Sequence, residues 1–99
     1  MLGIKLGKML GMGEDEKRKV VVAVDPGHGG RDPGAVCAGV READVNLAVA
    51  RVLGELLRAR EYEVVMTRES GEDVPGLEER CRVANEVGAR CFVSVHCNS

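Results

Sequence analysis

The 99-residue sequence is poor in aromatic side chains, which make up 2% of the chain. They are Tyr62 and Phe92, and tryptophan is absent. A surface that stacks nucleobases or sugar rings needs a row of aromatic faces. The composition therefore excludes such a surface and predicts an aliphatic core.

An excess of charge of one sign is also lacking, because 14 Lys and Arg face 16 Asp and Glu, for a net charge of -2. Proteins that bind nucleic acid or anionic lipid usually carry a basic block, so we expect no nucleic-acid partner. Lys5 and Lys8 interrupt the apolar start of the chain, which argues against a membrane span and a clear signal peptide. We expect residues 1–19 to form a disordered or leader-like segment.

The four cysteines, Cys37, Cys81, Cys91 and Cys97, form no C-x-x-C pair. The sequence therefore has neither a zinc ribbon nor a redox motif, and its cysteine density is too low for a disulfide scaffold. Cys81 falls on the apolar face of a helical pattern and Cys91 opens an apolar strand, where free cysteine acts as a small hydrophobe. A disulfide, or a thiol at a metal site, remains an open alternative.

From residue 20 onward, strand patterns and helix patterns alternate. Val20–Val24 is an unbroken apolar run, which is typical of a strand buried on both faces of a parallel sheet. Two Asp-Pro-Gly turns then predict a loop over residues 25–40. Tyr62–Thr67 and Cys91–His96 predict two further strands.

Two amphipathic helices are predicted between these strands. The first follows Asp44 and ends near Arg60, and the second spans Leu77–Val87 and stops at Gly88. The residues expected to face inward from the first helix are Val45, Val49, Val52, Leu53, Leu56 and Leu57. Those expected from the second are Leu77, Cys81, Ala84 and Val87. The order βαβαβ predicts a three-layer α/β fold with a parallel central sheet, whose strand carboxyl ends carry the chemistry.

The only histidines, His28 and His96, both lie at the carboxyl ends of predicted strands. If these strands are neighbours, their ends are about 5 Å apart, close enough for both imidazoles to reach one ion. Glu42, in the loop before the first helix, is the best third ligand, and two histidines with one carboxylate are a common hydrolytic zinc set. Taken singly, each also suits a structural role: His28 in a turn, Glu42 at a helix start, and His96 at an exposed strand end.

Gly27-His28-Gly29-Gly30 follows a strand, as phosphate-binding loops do. The loop lacks the Gly-Lys-Ser/Thr end of a P-loop, and the third glycine of a dinucleotide fingerprint would fall on Asp32. The first helix also begins well beyond these glycines, so its N-terminal amides are not delivered to them. These departures disfavour a nucleotide-binding α/β module.

A series of short motifs runs through the chain. They are Val24-Asp25-Pro26-Gly27-His28-Gly29-Gly30, Asp32-Pro33-Gly34-Ala35, Glu42 with Asp44-Val45-Asn46-Leu47, Val64-Val65-Met66-Thr67-Arg68, Leu77-Glu78-Glu79-Arg80 with Ala84-Asn85, and Val93-Ser94-Val95-His96-Cys97-Asn98-Ser99. In this order they resemble the zinc-dependent N-acetylmuramoyl-L-alanine amidases of the type 3 amidase family. We therefore expect residues 20–99 to be the amino-terminal part of a zinc amidase catalytic domain, truncated at its carboxyl end.

The resemblance implies Zn²⁺ as cofactor, with His28, Glu42 and His96 as its ligands. It implies a peptidoglycan or muropeptide substrate, cut at the amide between N-acetylmuramic acid and L-alanine, in the cell wall, outside the cell or in the periplasm. By the same resemblance, the general base is a glutamate that we expect beyond Ser99. Arg68 and Asn98 are candidate substrate-binding residues, although Arg68 equally suits a structural ion pair.

Two positions depart from the usual pattern of that family. Glu61 stands where glycine is usual. If its backbone is left-handed, a residue other than glycine destabilises the fold there by about 1 kcal/mol. Cys97 stands where alanine is usual. Because the expected base is missing, the alternative function is a catalytically silent, zinc-retaining wall-binding fragment or regulator, and the oligomeric state stays open.

Overall fold

A computed structural model describes residues 2–6, 20–72 and 75–97. The strands are β1 (Leu2–Leu6), β2 (Val21–Pro26), β3 (Val36–Cys37), β4 (Val40–Arg41), β5 (Glu63–Met66) and β6 (Cys91–Cys97), and the helices are α1 (Glu42–Ala59) and α2 (Leu77–Glu86). From β2 onward the main elements follow the predicted βαβαβ order. The short ladder of β3 and β4 lies inside the predicted loop.

The main sheet has the strand order β1-β6-β2-β5. β2 is central and runs parallel to both β5 and β6, with Val22 opposite Val64 and Val24 opposite Val93. The carboxyl ends of β2 and β6 are therefore neighbours, as the predicted histidine pairing requires. The predicted α/β fold with a parallel sheet is confirmed.

Aliphatic side chains on one face of the sheet form the core with α1. Its buried members are Val20, Val22, Val24, Ala50, Val64, Cys91, Val93 and Val95. Side chains alternate along a strand, so the neighbouring positions Phe92, Ser94 and His96 of β6 point to the other face, beside α2. Right-handed crossovers in opposite directions place the two helices on opposite faces in this way.

The predicted apolar stripe of α1 meets the sheet only in part: Val49, Leu53 and Leu57 pack against the core as predicted. Small or polar residues face the sheet, including Ala43, Asn46 and Ala50, while Val52 is 55% and Leu56 61% exposed. The helix begins at Glu42, three residues before the predicted start at Val45, and its first two N–H groups donate to the carbonyls of Ala35 and Pro33. The side-chain amide of Asn46 donates to the Gly27 carbonyl (3.1 Å) and thereby turns part of the apolar stripe toward solvent.

Helix α2 likewise departs from its predicted face. Leu77 is 79% exposed, Cys81 and Val87 are exposed, and Arg80 is buried instead, with 8% exposure. The Arg80 guanidinium donates to the buried Asp25 carboxylate, and this ion pair fixes the helix against the end of the sheet. The hydrophobic role predicted for Cys81 is wrong for this reason, whereas Cys91 is buried in the core as predicted.

The ends of the predicted segments shift in three further places. Asp25 and Pro26 belong to β2, not to the following loop. Leu2–Leu6 forms a strand antiparallel to β6, within a segment expected to be disordered, and residues 1 and 7–19 lie outside the described residues. Within the described part of the chain, neither helix combines the length and apolarity needed to cross a bilayer.

Candidate metal centre

The site begins where β2 ends and the chain turns sharply. Gly27 extends the ladder by donating to the Val95 carbonyl (2.9 Å), and Gly29 and Asp32 then exchange two backbone hydrogen bonds of 2.9 Å. Between them His28 has a φ of +61°, a left-handed conformation that costs a residue with a side chain roughly 1–2 kcal/mol. Such strain persists only where the surrounding structure enforces it, and it is frequent at functional sites.

The turn brings His28 beside His96 and Glu42, the three residues singled out in the sequence. His28 Nε2 lies 3.4 Å and His96 Nδ1 3.7 Å from the same oxygen, Glu42 Oε2. The imidazole rings meet edge to face, with centroids 5.3 Å apart. Each of the three residues offers one ligand atom, and these three atoms lie within 4.8 Å of one another.

These separations fit one small metal ion. Zinc bonds of about 2.0–2.1 Å in a tetrahedron place neighbouring ligand atoms about 3.3 Å apart. The two distances to Glu42 Oε2, 3.4 and 3.7 Å, are close to this spacing, and the ligand atoms of the two histidines lie within 4.8 Å of each other. Two imidazole nitrogens and one carboxylate oxygen are also a donor set that zinc takes, with a position left for water or substrate.

Glu42 is buried in a ring of hydrogen-bond donors. Its Oε1 accepts from the Ala35 N–H (3.0 Å), and its Oε2 accepts from the Cys97 N–H (2.9 Å) and the Asn46 amide (3.3 Å). Burial raises the pKa of Glu42, but these donors outweigh it and leave the pKa below its ordinary value. The carboxylate is therefore held ionised, which is the form that binds a cation.

Two glycines leave the space in which these side chains meet. A Cβ at Gly27 would lie 2.4 Å from His96 Cε1 and 2.6 Å from His96 Nδ1. A Cβ at Gly34, where φ is +66°, would lie 2.7 Å from both Glu42 Oε1 and His28 Cδ2. Gly27 and Gly34 therefore allow close packing around the cluster.

Arg68 stands at the carboxyl edge, as predicted, but its side chain is only 2% exposed. Its Nε donates to the Pro26 carbonyl (2.9 Å) and its Nη2 to the carbonyls of Gly27 (2.9 Å) and Ala43 (2.8 Å), while Nη1 donates to Ser70 (3.0 Å). These contacts favour the structural role that the sequence left open for Arg68. It braces the loop from within, and Asn98 lies outside the described residues.

Each histidine of the cluster has a polar side-chain partner that the sequence reasoning missed. His28 Nδ1 lies 2.8 Å from Asp32 Oδ2, and His96 Nε2 lies 3.0 Å from Ser94 Oγ. The hydrogen bond to His28 lowers the pKa of the exposed Asp32. The four-residue spacing from His28 to Asp32 across Gly29-Gly30 is the one local signal that pointed to this contact.

Asp25 lies buried behind Ser94. Its Oδ1 accepts from Thr67 Oγ1 (2.6 Å) and Arg80 Nη1 (2.7 Å), and its Oδ2 accepts from Ser94 Oγ (2.7 Å). Burial raises the pKa of Asp25, but the three donors outweigh it, and the pKa lies below its ordinary value of 3.8. Asp25 is therefore an anion enclosed by donors, although its Asp-Pro-Gly context suggested a simple turn.

A groove of about 600 Å³ opens beside the cluster, between β6 and α2. Its floor includes His28, Ser94 and His96, and its outer wall includes Leu77, Cys81 and Phe92. A ligand in this groove would have access to both imidazoles.

Fold and cluster together define an α/β chain with a His–Glu–His ligand set at the carboxyl edge of a parallel sheet. A family model described as N-acetylmuramoyl-L-alanine amidase matches residues 22–99. The chain therefore belongs to this amidase family, and the resemblance noted in the sequence is confirmed.

Individual relatives agree with the family match. The chain is 41% identical over 83 residues to the sporulation-specific N-acetylmuramoyl-L-alanine amidase of Bacillus subtilis, covering 81% of this chain and 32% of that protein. Among solved structures, AmiC2 of Nostoc punctiforme matches with a TM-score of 0.77 and 37% identity, over 81% of this chain and 44% of that one. The catalytic domain of CwlV from Bacillus (Paenibacillus) polymyxa matches with a TM-score of 0.75 and 38% identity, over 80% and 45%. The chain thus spans about a third of the first relative and less than half of both solved structures.

Proposed function

We propose that this chain supplies the zinc site of an enzyme that hydrolyses the amide between N-acetylmuramic acid and L-alanine in peptidoglycan. The observation that supports this most is the convergence of His28, Glu42 and His96 within 4.8 Å. Membership of the amidase family, and relatives named for this reaction, supply the substrate class. Because peptidoglycan is the wall polymer, the proposed place of action is the cell wall, outside the cell or in the periplasm.

In this proposal His28 Nε2, Glu42 Oε2 and His96 Nδ1 hold Zn²⁺. Bound zinc polarises a carbonyl oxygen and lowers the pKa of a coordinated water toward about 7. The chain's own residues fix the ligands: Asp32 and Ser94 orient the two imidazoles, and the amides around Glu42 keep its carboxylate ionised. The groove beside His28 and His96 is the proposed seat of the scissile amide.

The proton acceptor for the attacking water is proposed to be a glutamate outside residues 1–99. Two carboxylates other than Glu42 line or adjoin the groove, within the described residues, and both are engaged. Asp25 is buried among Thr67, Ser94 and Arg80, and Asp32 accepts from His28. Because both carboxylates are already engaged in hydrogen bonds, a second candidate function is a zinc-retaining fragment that binds wall material without turnover.

Zinc content tests the site directly. Protein purified without chelator is expected to hold about one zinc per chain by elemental analysis, and Glu42→Gln, His28→Ala and His96→Ala are expected to lose it. Asp44→Asn is the matched control, since Asp44 is an exposed carboxylate in the first turn of the same helix. Zinc below about a tenth of an equivalent in the wild type, or unchanged zinc in the histidine variants, would overturn the assignment.

Turnover separates the two candidate functions. Loss of a general base costs roughly 10²–10⁴ in rate, so the 99-residue chain is expected to release new L-alanine amino termini from purified peptidoglycan far more slowly than a related whole amidase domain. Release that needs zinc and disappears in His96→Ala supports the amidase. Binding to peptidoglycan with no release at any protein concentration supports the silent fragment, and release that survives His96→Ala contradicts both.

A further inference from the structure

Asp25 and Ser94 stand opposite each other on the neighbouring parallel strands β2 and β6. Ser94 Oγ lies 2.7 Å from Asp25 Oδ2 and 3.0 Å from His96 Nε2. Because side chains alternate along a strand, Ser94 and His96 share the face of β6 that lines the groove. The three residues form a chain of contacts that ends at the predicted metal cluster.

The direction of each hydrogen bond follows from the donors that surround Asp25. An ionised carboxylate accepts only, and Asp25 already faces the Arg80 guanidinium and the Thr67 hydroxyl. The single Ser94 hydrogen therefore points to Asp25, and Ser94 Oγ offers a lone pair to His96. His96 must then carry its hydrogen on Nε2, which leaves the lone pair of Nδ1 facing Glu42 Oε2 at 3.7 Å.

His28 has the opposite arrangement. Its Nδ1 lies 2.8 Å from the acceptor Asp32 Oδ2, so its hydrogen belongs on Nδ1, and Nε2 faces Glu42 Oε2. The two histidines of the cluster are thus held in opposite tautomers. In His28 the orienting carboxylate is in direct contact with the ring, and in His96 it acts through a serine.

We propose that Asp25 is a positioning residue that acts through Ser94 to lock His96 in the Nε2–H tautomer, with Nδ1 as the metal-binding atom. The proposal rests on the metal site of the proposed function. Outer partners of this kind fix the ring and the tautomer of a metal-binding histidine, and their loss typically lowers metal affinity 10–100-fold. Arg80, which donates to Asp25 and to the carbonyl of His28 (2.9 Å), ties the same anion to the other histidine.

The chain offers a matched pair of variants to test this. Ser94→Ala removes the link between Asp25 and His96, whereas Thr67→Val removes another hydroxyl donor to the same carboxylate without touching His96. Zinc affinity, measured by competition with a chromophoric chelator, is expected to fall about 10–100-fold in Ser94→Ala and to stay within about twofold in Thr67→Val. Ser94→Thr keeps a hydroxyl at this position, which lines the groove, and is expected to bind zinc with near wild-type affinity.

Nitrogen NMR of the two imidazoles gives a readout that mere packing would not change. In metal-free protein at about pH 8.5, where imidazoles are ordinarily neutral, His28 is expected to carry its hydrogen on Nδ1 and His96 on Nε2. His28→Gln assigns the signals. Ser94→Ala is expected to give a mixture of tautomers at His96, and Thr67→Val and Ser94→Thr the wild-type pattern.

The outcomes separate the two proposals. An Nδ1–H tautomer at His96 in the wild type, or unchanged zinc affinity in Ser94→Ala, overturns the role of Asp25 and Ser94 even when zinc binds. Equal losses in Ser94→Ala and Thr67→Val overturn it as well, because they would show a general effect on stability. If the wild type binds no zinc, the proposed function fails, and the tautomer pattern alone decides whether Ser94 orients His96. If Ser94→Ala does not fold, the tautomer in the wild type and in Ser94→Thr decides it.

Discussion

Gly27→Ala should remove the metal site while leaving the fold in place. The new Cβ would lie 2.4, 2.6 and 2.8 Å from Cε1, Nδ1 and Nε2 of His96, so it would overlap the ring itself. Carbon atoms in contact prefer about 3.5–4.0 Å, and the ring must therefore retreat by about 1 Å. His96 lines the open groove and has room to move outward, so the cost to folding is expected to be small.

The loss of metal binding follows from the length of the bonds. Zinc–nitrogen bonds of about 2.0–2.1 Å do not stretch by 1 Å, so a displaced His96 no longer serves as a ligand. Two ligands then remain, and zinc affinity is expected to fall by about 10²-fold or more, beyond the loss for an outer partner. The assay is chelator competition, with a urea unfolding curve of the metal-free protein measured alongside.

Gly76→Ala is the control for this change. Gly76 precedes α2, has a φ of -72° and has nothing within 4 Å of an added Cβ. We expect zinc affinity unchanged and a stability loss of about 0.5–1 kcal/mol from the weaker helix cap. Wild-type zinc affinity in Gly27→Ala would refute the geometry, since it would show that His96 does not need the position it has here.

Three further outcomes follow from the described residues. Glu61 has a φ of +70°, so Glu61→Gly is expected to raise the free energy of unfolding in urea by about 1 kcal/mol while Glu61→Ala does not, and equal gains would refute backbone strain as the cause. Although burial raises the pKa values of Asp25 and Glu42, their hydrogen bonds hold both below the ordinary 3.8 and 4.5. Their stabilisation is thus present above those values and lost as pH falls through the lower folded values. The metal-free protein is expected to lose stability below about pH 5, and a flat profile down to about pH 3 in thermal melts would contradict this. Val52 and Leu56 are 55% and 61% exposed on one side of α1, so the chain is expected to self-associate in sedimentation experiments and the double lysine variant less so, with a monomeric wild type as the contrary result.

The alternation of elements could be predicted from the sequence because it rests on local patterns. An unbroken valine run, two helical periodicities and the turns between them are each contained in a short stretch of chain. Once β2 and β6 are parallel neighbours, their carboxyl ends meet, and His28 and His96 come together for reasons of topology alone. Glu42 joins them because the first helix begins at the same edge.

The buried residues of each helix could be predicted only in part. Periodicity defines an apolar face, but polar contacts across the fold decided which side meets the sheet. In α2 the Asp25–Arg80 pair, 55 residues apart, buries Arg80, whereas Leu77 and Cys81 stay exposed along the groove. In α1 the contact of Asn46 with Gly27 had a similar effect.

The sequence by itself determined the main elements from β2 onward, their order and the three residues that meet at the sheet edge, because local pattern and parallel topology suffice for these. It did not predict β1 or the short ladder of β3 and β4. Only the tertiary structure decided that Arg68 is a buried brace, that Asp25 is an anion enclosed by donors, and which nitrogen of each histidine faces Glu42. Those properties depend on atoms brought together from distant parts of the chain at hydrogen-bond distance. A difference of one ångström or a rotated ring changes them without changing any sequence pattern.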